Sequence, residues 1–166
     1  KTTGTEEMSQ NIHLNNSENL PISYMENVPS QIPVEGFVTQ RMNTSAFFLD
    51  QNHYGIDIAA VEGKPVLASA SGFVVFSDWT YDMGNVVILY HGDGYFTHYG
   101  HHQNNIKKQR DIVERGDVIA LVGSTGITTG PHLHFEIWKE GKVLDPLKFF
   151  PGYTKTDVSP QYHEQN

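Results

Sequence analysis

Histidines are the residues of this sequence whose type and spacing most readily support chemistry. Nine are present among 166 residues, seven of them between His53 and His134, and there is no cysteine. Without thiolates, a metal ion would have to be bound by imidazole nitrogens and carboxylate oxygens. Such donors suit a catalytic divalent metal, which keeps one position open for water. Places where histidines and acids recur at short spacing are therefore the candidates for a site.

The pair His53 and Asp57 is the first such place. A spacing of four residues would put both side chains on one face of a helix. Gly55 and the following Ile-Asp-Ile-Ala instead indicate a turn that enters a strand, which could also bring the two groups together. A hydrogen-bonded histidine beside a capping aspartate gives the same pattern, so the pair alone predicts a metal site only weakly.

A second place is the segment Pro-His-Leu-His-Phe-Glu at residues 131–136. Because side chains alternate along a strand, His132, His134 and Glu136 share one face and the apolar residues between them share the other. If the apolar face packs into a core, two imidazoles face a groove. Their desolvation is costly unless they bind a metal, take part in catalysis or are well hydrogen-bonded. This pattern favours a functional site more strongly than the first pair.

A third cluster reads His98-Tyr-Gly-His101-His102, with glycine at positions 94 and 100. The glycines indicate a loop, either an exposed polar loop without a function or one shaped to deliver a side chain to a site. On this pattern His98, His101 and His102 are all candidates. The sequence contains no His-Glu-x-x-His helix, which would assign a general base.

Short β-branched or alternating segments separated by glycine-bearing turns must position these residues. Runs of roughly four to eight residues with frequent turn signals indicate an all-β domain, and no window carries a helical apolar stripe over three turns. We expect an antiparallel β-sheet with a barrel-sandwich-like core and little helix, the one possible helical turn lying around Asn104–Lys108. The similar segments that begin at Val61 and Val113 each place a glycine turn before a strand, which predicts turns that feed two facing sheets.

The length fits one domain, since domains typically run to about 100–200 residues. Residues 1–29 are polar and predict a flexible arm, residues 30–153 the folded domain, and residues 154–166 a loose tail. No segment approaches the roughly 20 apolar residues of a transmembrane helix, and no signal-peptide core is present. Any membrane anchor or targeting segment is therefore expected outside this sequence.

The charge balance argues against one class of partner. The formal net charge is −8, and the longest basic run is Lys107-Lys108. Binding to a phosphate backbone needs a clustered basic surface. Nucleic acid is therefore not an expected partner.

Taken in order, these motifs resemble the lysostaphin-type, or LytM-type, zinc peptidases, which cut bacterial peptidoglycan. The resemblance covers roughly residues 32–150, and an ordered set of separated motifs is far more specific than any one of them. The segments that carry it are His53-x-x-x-Asp57, Tyr99-Gly-His101, Gly123-Ser-Thr-Gly, Gly130-Pro-His-Leu-His-Phe-Glu136 and Gly141-Lys-Val-Leu-Asp-Pro146.

The resemblance implies one zinc ion per chain, bound by His53, Asp57 and His134. It also implies an antiparallel β fold whose groove is floored by the sheet and walled by loops. The activity it implies is hydrolysis of peptide bonds of peptidoglycan in the bacterial cell envelope, whether periplasmic or extracellular. Because no wall-targeting repeat is recognisable, stem-peptide cross-links between D-alanine and diaminopimelate are favoured over glycine bridges.

The resemblance further implies a catalytic pair, His132 and a histidine of the third cluster. The family usually reads Tyr-x-His there, and Tyr99-Gly-His101 matches, so His101 is favoured over His98 and His102. The pair would orient or deprotonate the water and stabilise the developing oxyanion.

Two other functions remain open. Some relatives have lost ligands and serve as non-catalytic peptidoglycan-binding or hydrolase-activating modules, but here every expected position is filled. A phosphocarrier-like barrel-sandwich domain, whose histidines would accept phosphate, would leave Asp57 without a purpose. One departure from the family pattern is Gln40-Arg41-Met42-Asn43, where many relatives carry Phe-Gly-x-Arg; it changes a groove wall and so bears on substrate preference more than on metal binding.

Overall fold

The computed structural model describes residues 26–45 and 52–160, and within these ranges the regular structure consists mostly of antiparallel strands. The prediction of an all-β domain with little helix is confirmed. None of the helices in the described ranges has the length and apolar character needed to cross a bilayer. The strands are β1 Phe37–Gln40, β2 Ile56–Ala59, β3 Pro65–Leu67, β4 Gly72–Thr80, β5 Gly84–Gly92, β6 Tyr95–His102, β7 Asn104–Asn105, β8 Ile112–Val113, β9 Val118–Leu121, β10 His132–Lys139 and β11 Lys142–Leu144, followed by the helix α1 Pro146–Phe149 and a 3-10 helix Pro151–Thr156.

The strands form two sheets. The larger has the order β1-β2-β10-β6-β5-β4-β8, with β11 paired to β10, and the smaller has the order β3-β9-β7. Strand β10 thus lies between β2 and β6. Its register places His134 opposite Asp57 of β2 and opposite Gly100 of β6. The three motifs, far apart in the sequence, therefore meet at one level of the large sheet.

One hydrophobic core holds both sheets together and fixes the face that β10 turns to solvent. Leu133, Phe135 and Ile137 of β10 are fully buried in it, as predicted from strand alternation. Val66 of β3 and Ile119 of β9 belong to the same cluster. Burying a side chain of this size contributes about 1.5–3 kcal/mol. The apolar face of β10 is thus anchored, and its polar residues are held on the opposite face.

The two similar glycine turns sit at equivalent places in the smaller sheet. Gly63 and Gly116 both have a positive φ, 83° and 87°, a backbone conformation that favours glycine. They lead into β3 and β9, which pair with each other. Both turns therefore lead into the same sheet, whereas the sequence suggested that they lead into two facing sheets. The larger sheet packs against β3 and β9 through the shared core.

The prediction of a helical turn around Asn104–Lys108 is wrong. Asn104 and Asn105 form β7 and pair with Leu121 and Ala120. The next two amides, of Ile106 and Lys107, both donate to the carbonyl of Ile119. These donors are committed to the neighbouring strand β9, so none remains for a helical turn.

Parts of the predicted terminal segments are described. Residues 1–25 of the expected arm and residues 161–166 of the expected tail lie outside the described residues. In the described part of the expected arm, Pro29 is buried. Just after it, the amides of Ser30 and Gln31 donate to the carbonyl of Ser69. At the other end the 3-10 helix continues to Thr156, and Asp157 bridges to Val38 of β1.

Candidate metal centre

Three side chains from two strands and the turn before them converge on one point. Asn43 and His53 exchange backbone hydrogen bonds of 2.8 and 2.7 Å, which holds His53 just ahead of β2. Asp57 lies on β2, and His134 lies opposite it on β10. Each offers a ligand atom, and these atoms all lie within 4.8 Å of one another. His53, Asp57 and His134 therefore form a group that could hold a metal ion.

The contacts among the three candidate ligands are close. Nε2 of His53 is 3.1 Å from Oδ1 of Asp57 and 3.2 Å from Nδ1 of His134. Nδ1 of His134 is in turn 2.8 Å from the same Asp57 oxygen. Two ring nitrogens and a carboxylate oxygen converging in this way are the donor set of a nitrogen and oxygen metal site.

Hydrogen bonds on the far side of each imidazole ring set its tautomer. Nδ1 of His53 lies 2.8 Å from the carbonyl of Arg41. Nε2 of His134 lies 2.8 Å from Oε1 of Glu136. A carbonyl or carboxylate oxygen only accepts, so these nitrogens carry the protons. His53 Nε2 and His134 Nδ1 are left facing Asp57; without a metal they can donate to its carboxylate, and on giving up those protons they present the lone pairs that metal ligation requires. The residues present thus fit a divalent metal.

Electrostatics at this point favour a cation. Burial acts to raise the pKa of Asp57, but hydrogen bonds from His134 and His53 outweigh it and hold that pKa well below its usual range. Burial acts to lower the pKa of His134, but hydrogen bonds to Asp57 and Glu136 raise it to about 9. Glu136 is likewise kept ionised: burial acts to raise its pKa, and the hydrogen bond from His134 lowers it more.

His101 and His132 lie beside this group. The two rings are 4.6 Å apart between centroids, and the His101 ring is 6.2 Å from that of His134. Nε2 of His132 is 3.7 Å from Oδ2 of Asp57. The structure therefore brings together all five site residues that the sequence motifs indicated.

Backbone carbonyls orient both of these rings. Nδ1 of His101 donates to the carbonyl of Thr125 at 2.7 Å, and Nδ1 of His132 donates to that of Gly130 at 2.9 Å. Each Nε2 is thereby left as a proton acceptor. Burial lowers the pKa of His101 and outweighs the bond to Thr125, which acts in the opposite direction, so the neutral ring is favoured. His101 also has a positive φ of 65°, and its amide donates to the carbonyl of Met83.

The expectation that the third histidine cluster forms a loop is wrong. His98, His101 and His102 all lie on β6, which pairs with β5 on one side and β10 on the other. His102 is fully buried, and its Nδ1 donates to Asn105 Oδ1 at 2.8 Å. His98 stacks on Trp138, with 5.9 Å between ring centroids. Histidines occur in a strand here because internal partners contact at least part of each ring, which a count of polar residues does not reveal; Nε2 of His102 has no hydrogen-bond partner among the described residues.

Several groups around the site were not assigned a role from the sequence. Glu136 was placed on the same strand face as His134, and that proximity is the signal from which its contact with His134 could have been predicted. Trp138 follows on the same face and donates from Nε1 to Glu136 Oε2 at 2.5 Å. The carbonyls of Arg41 and Thr125 leave no signal, since every residue carries one.

Comparison with known proteins adds an independent observation. Residues 51–146 match the sequence profile of Peptidase family M23. The murein hydrolase activator NlpD of Escherichia coli strain K12 is 36% identical over 120 residues, which are 72% of this chain and 30% of NlpD. The DD-carboxypeptidase/endopeptidase Mpg of Neisseria meningitidis serogroup B (strain ATCC 13091 / M2091) is 43% identical over 95 residues, 57% of this chain and 22% of Mpg.

A solved structure is also similar to this chain. A zinc-containing peptidase from Vibrio cholerae is similar with a TM-score of 0.57 and 33% sequence identity, over 69% of this chain and 35% of that chain. The chain spans less than a third of the length of NlpD and of Mpg. The match to the family profile, over residues 51–146, includes all five residues of the site described above.

Proposed function

Because this chain belongs to Peptidase family M23, as its motifs predicted, we propose that it is a zinc-dependent endopeptidase. Its proposed substrates are the peptide bonds of bacterial peptidoglycan, and its proposed location is the bacterial cell envelope. The observation that carries the proposal is the convergence of His53, Asp57 and His134, with each imidazole in the tautomer that a metal needs. The zinc-containing peptidase of Vibrio cholerae, which shares the fold, supports the choice of metal.

In this proposal Nε2 of His53, Oδ1 of Asp57 and Nδ1 of His134 hold one zinc ion. A zinc ion in such a site lowers the pKa of a water molecule from about 15.7 towards 7 and polarises a substrate carbonyl. Asp57 contributes the negative charge that favours the cation. Glu136 and the carbonyl of Arg41 keep the two imidazoles in place, which is the usual task of groups behind metal ligands.

His101 and His132 perform the proton chemistry in this proposal. Each ring donates from Nδ1 to a backbone carbonyl and keeps Nε2 free. A neutral Nε2 accepts a proton from the attacking water and, once protonated, donates to the developing oxyanion or to the leaving amine. The lowered pKa of His101 keeps it in the accepting form at neutral pH.

The substrate proposal rests on the relatives. Mpg is named a DD-carboxypeptidase/endopeptidase, which supports cross-links between D-alanine and diaminopimelate as the bonds cleaved. The groove wall near His53 carries Gln40-Arg41-Met42-Asn43 in place of the more common family sequence. Digestion of sacculi with direct or glycine-bridged cross-links, with products identified by mass spectrometry, would define the bond.

The direct test is cleavage of purified muropeptides before and after removal of the metal. We expect bound zinc at one equivalent per chain, loss of cleavage on chelation, and recovery when zinc is added back. A chain treated with chelator already saturated with zinc serves as the control. Cleavage that persists after verified zinc loss would contradict the proposal.

A second function is favoured by one observation, the similarity to NlpD, a murein hydrolase activator. A module of that kind binds peptidoglycan or another hydrolase and does not need a working zinc. The two functions separate on metal content: a folded chain that purifies without zinc, does not take it up and stimulates a separate wall hydrolase would be an activator. The complete set of five residues favours the enzyme.

A further inference from the structure

Glu136 is a buried carboxylate with an unusually complete set of partners. It lies on β10 two residues after His134, on the same face, and only 7% of its surface is exposed. Oε1 accepts from Nε2 of His134 at 2.8 Å. Oε2 accepts from Nε1 of Trp138 at 2.5 Å and lies 3.5 Å from Nδ1 of His98. A buried carboxylate is expensive to desolvate unless each oxygen is paired, as here.

The bond to His134 decides which nitrogen of that ring is free. A neutral imidazole carries its proton on either nitrogen, and only the form with the proton on Nε2 presents a lone pair from Nδ1 to the side where Asp57 lies. The Glu136 oxygen can only accept, so it selects this form. It also fixes the rotation of the ring, because the bond at Nε2 lies opposite the Nδ1 that faces Asp57.

Trp138 and His98 hold the carboxylate itself. The indole of Trp138 is a donor only, so it constrains the Oε2 that it contacts. The His98 ring stacks on the indole at an interplanar angle of 27°, which packs both rings beside the carboxylate. The rotamer of Glu136 is thereby fixed on one side by an aromatic pair and on the other by His134.

We propose that Glu136, held by Trp138 and His98, is a positioning residue that fixes His134 with Nδ1 free for the metal. The proposal rests on the proposed zinc site, and it assigns to His98 a supporting contact in place of a catalytic role. Loss of groups that support metal ligands typically lowers metal affinity about 10–100-fold.

The test measures zinc affinity by competition with a chromophoric chelator, with folding checked by circular dichroism. Glu136→Leu removes the acceptor at similar volume, and we expect zinc affinity to fall about 10–100-fold. Glu136→Gln keeps an oxygen but cannot accept from both His134 and Trp138, so its loss should be smaller and the variant provides a second reading if Glu136→Leu does not fold. The exposed Glu62→Leu is the matched control and should bind zinc like the wild type.

A Trp138→Phe substitution separates positioning from a merely structural role. If Glu136 only satisfies the partly buried indole, adding Trp138→Phe to Glu136→Leu restores zinc affinity. If Glu136 positions His134, the double variant stays weak, whereas Glu136→Gln with Trp138→Phe recovers because its oxygen now serves His134 alone. Zinc affinity of Glu136→Leu within twofold of the wild type, or its restoration by Trp138→Phe, overturns the inference and leaves the proposed function standing. A wild-type chain that binds no zinc overturns both.

Discussion

Two regions of the same large sheet bury histidines, and they differ in the partners that surround the rings. At the candidate metal centre His134 lies between the carboxylates of Asp57 and Glu136, and their hydrogen bonds outweigh burial and raise its pKa to about 9. In the rest of the sheet, which we call the second region, His91 near the end of β5 and His102 at the end of β6 have no carboxylate partner among the described residues, and burial lowers the pKa of each to about 4.

The contacts of the second region explain the difference. His91 donates from Nδ1 to the carbonyl of Ser71 at 2.8 Å and lies 2.7 Å from the Thr97 hydroxyl. Arg115 lowers its pKa further through charge repulsion. Neutral partners keep a buried imidazole neutral, whereas two carboxylates prepare a place for a cation. Burial of a histidine alone is therefore not a sign of a metal site, whereas carboxylates on both sides of its ring are.

The largest effect is expected at the candidate metal centre, where carboxylates lie on both sides of His134. His134→Ala removes one of three proposed ligands, so bound zinc should disappear and peptidase activity should fall by at least about 10³-fold, because the metal is proposed to activate the water. Metal analysis and muropeptide cleavage measure both losses. Full zinc occupancy in this variant would show that His134 is not a ligand.

The next variant removes the ring of His132, which lies on the same strand and is proposed to transfer protons. His132→Ala should keep zinc at wild-type occupancy, while activity falls by about 10²–10⁴-fold, the usual contribution of general acid–base catalysis. Comparing it with His134→Ala under the same assay makes each the control for the other. Zinc loss in both variants would mean that the two roles were assigned wrongly.

Acidification should destabilise the fold through the second region. The pKa values of His91 and His102 are about 4 in the folded chain against 6.5 when unfolded. Between those values the unfolded chain binds more protons, so stability is present above pH 6.5 and is lost as pH falls towards 4. Each group is worth on the order of 3 kcal/mol.

Urea unfolding of the metal-free protein at pH 6.5, 5 and 4 measures this loss. His102 faces Asn105 and the neighbouring His101. His102→Gln removes the titration of this side chain, so the free energy of unfolding should change less steeply with pH than in the wild type. The carboxylates contribute the same pH dependence in both proteins, so the difference between them reports His102. Identical slopes in the two proteins would show that protonation of His102 does not contribute to the loss of stability.

The smallest effect is expected from removal of the uncharged hydroxyl of Thr97. Thr97 lies 2.7 Å from His91 Nε2 and 2.9 Å from the Tyr99 hydroxyl, all in the buried part of the sheet. Thr97→Val keeps the shape but leaves these groups short of a partner, at a cost of about 1–3 kcal/mol in the free energy of unfolding. Zinc content and activity should not change, and the exposed Thr154→Val should leave all three quantities unaltered. A loss of zinc in Thr97→Val would show that the two regions are coupled.

Much of the fold was predictable because strands follow from local pattern. The alternation over residues 132–137 predicted which side chains of β10 enter the core, and the glycine turns predicted where β3 and β9 begin. The cluster at His98–His102 was wrongly predicted as a loop, since polar residues in a buried strand are acceptable when partners on other strands contact them. Those partners, such as Asn105 and Trp138, are set by the register of neighbouring strands.

The sequence by itself determined the residue types and order of the site: a histidine and an aspartate where a turn enters one strand, and two histidines on one face of another. The tertiary structure alone decided how these groups are used. Only the placement of β10 between β2 and β6 makes His134 face Asp57. Only the surrounding carbonyls and Glu136 choose the tautomers, because hydrogen bonds to main-chain atoms carry no trace in the identity of the residue that provides them.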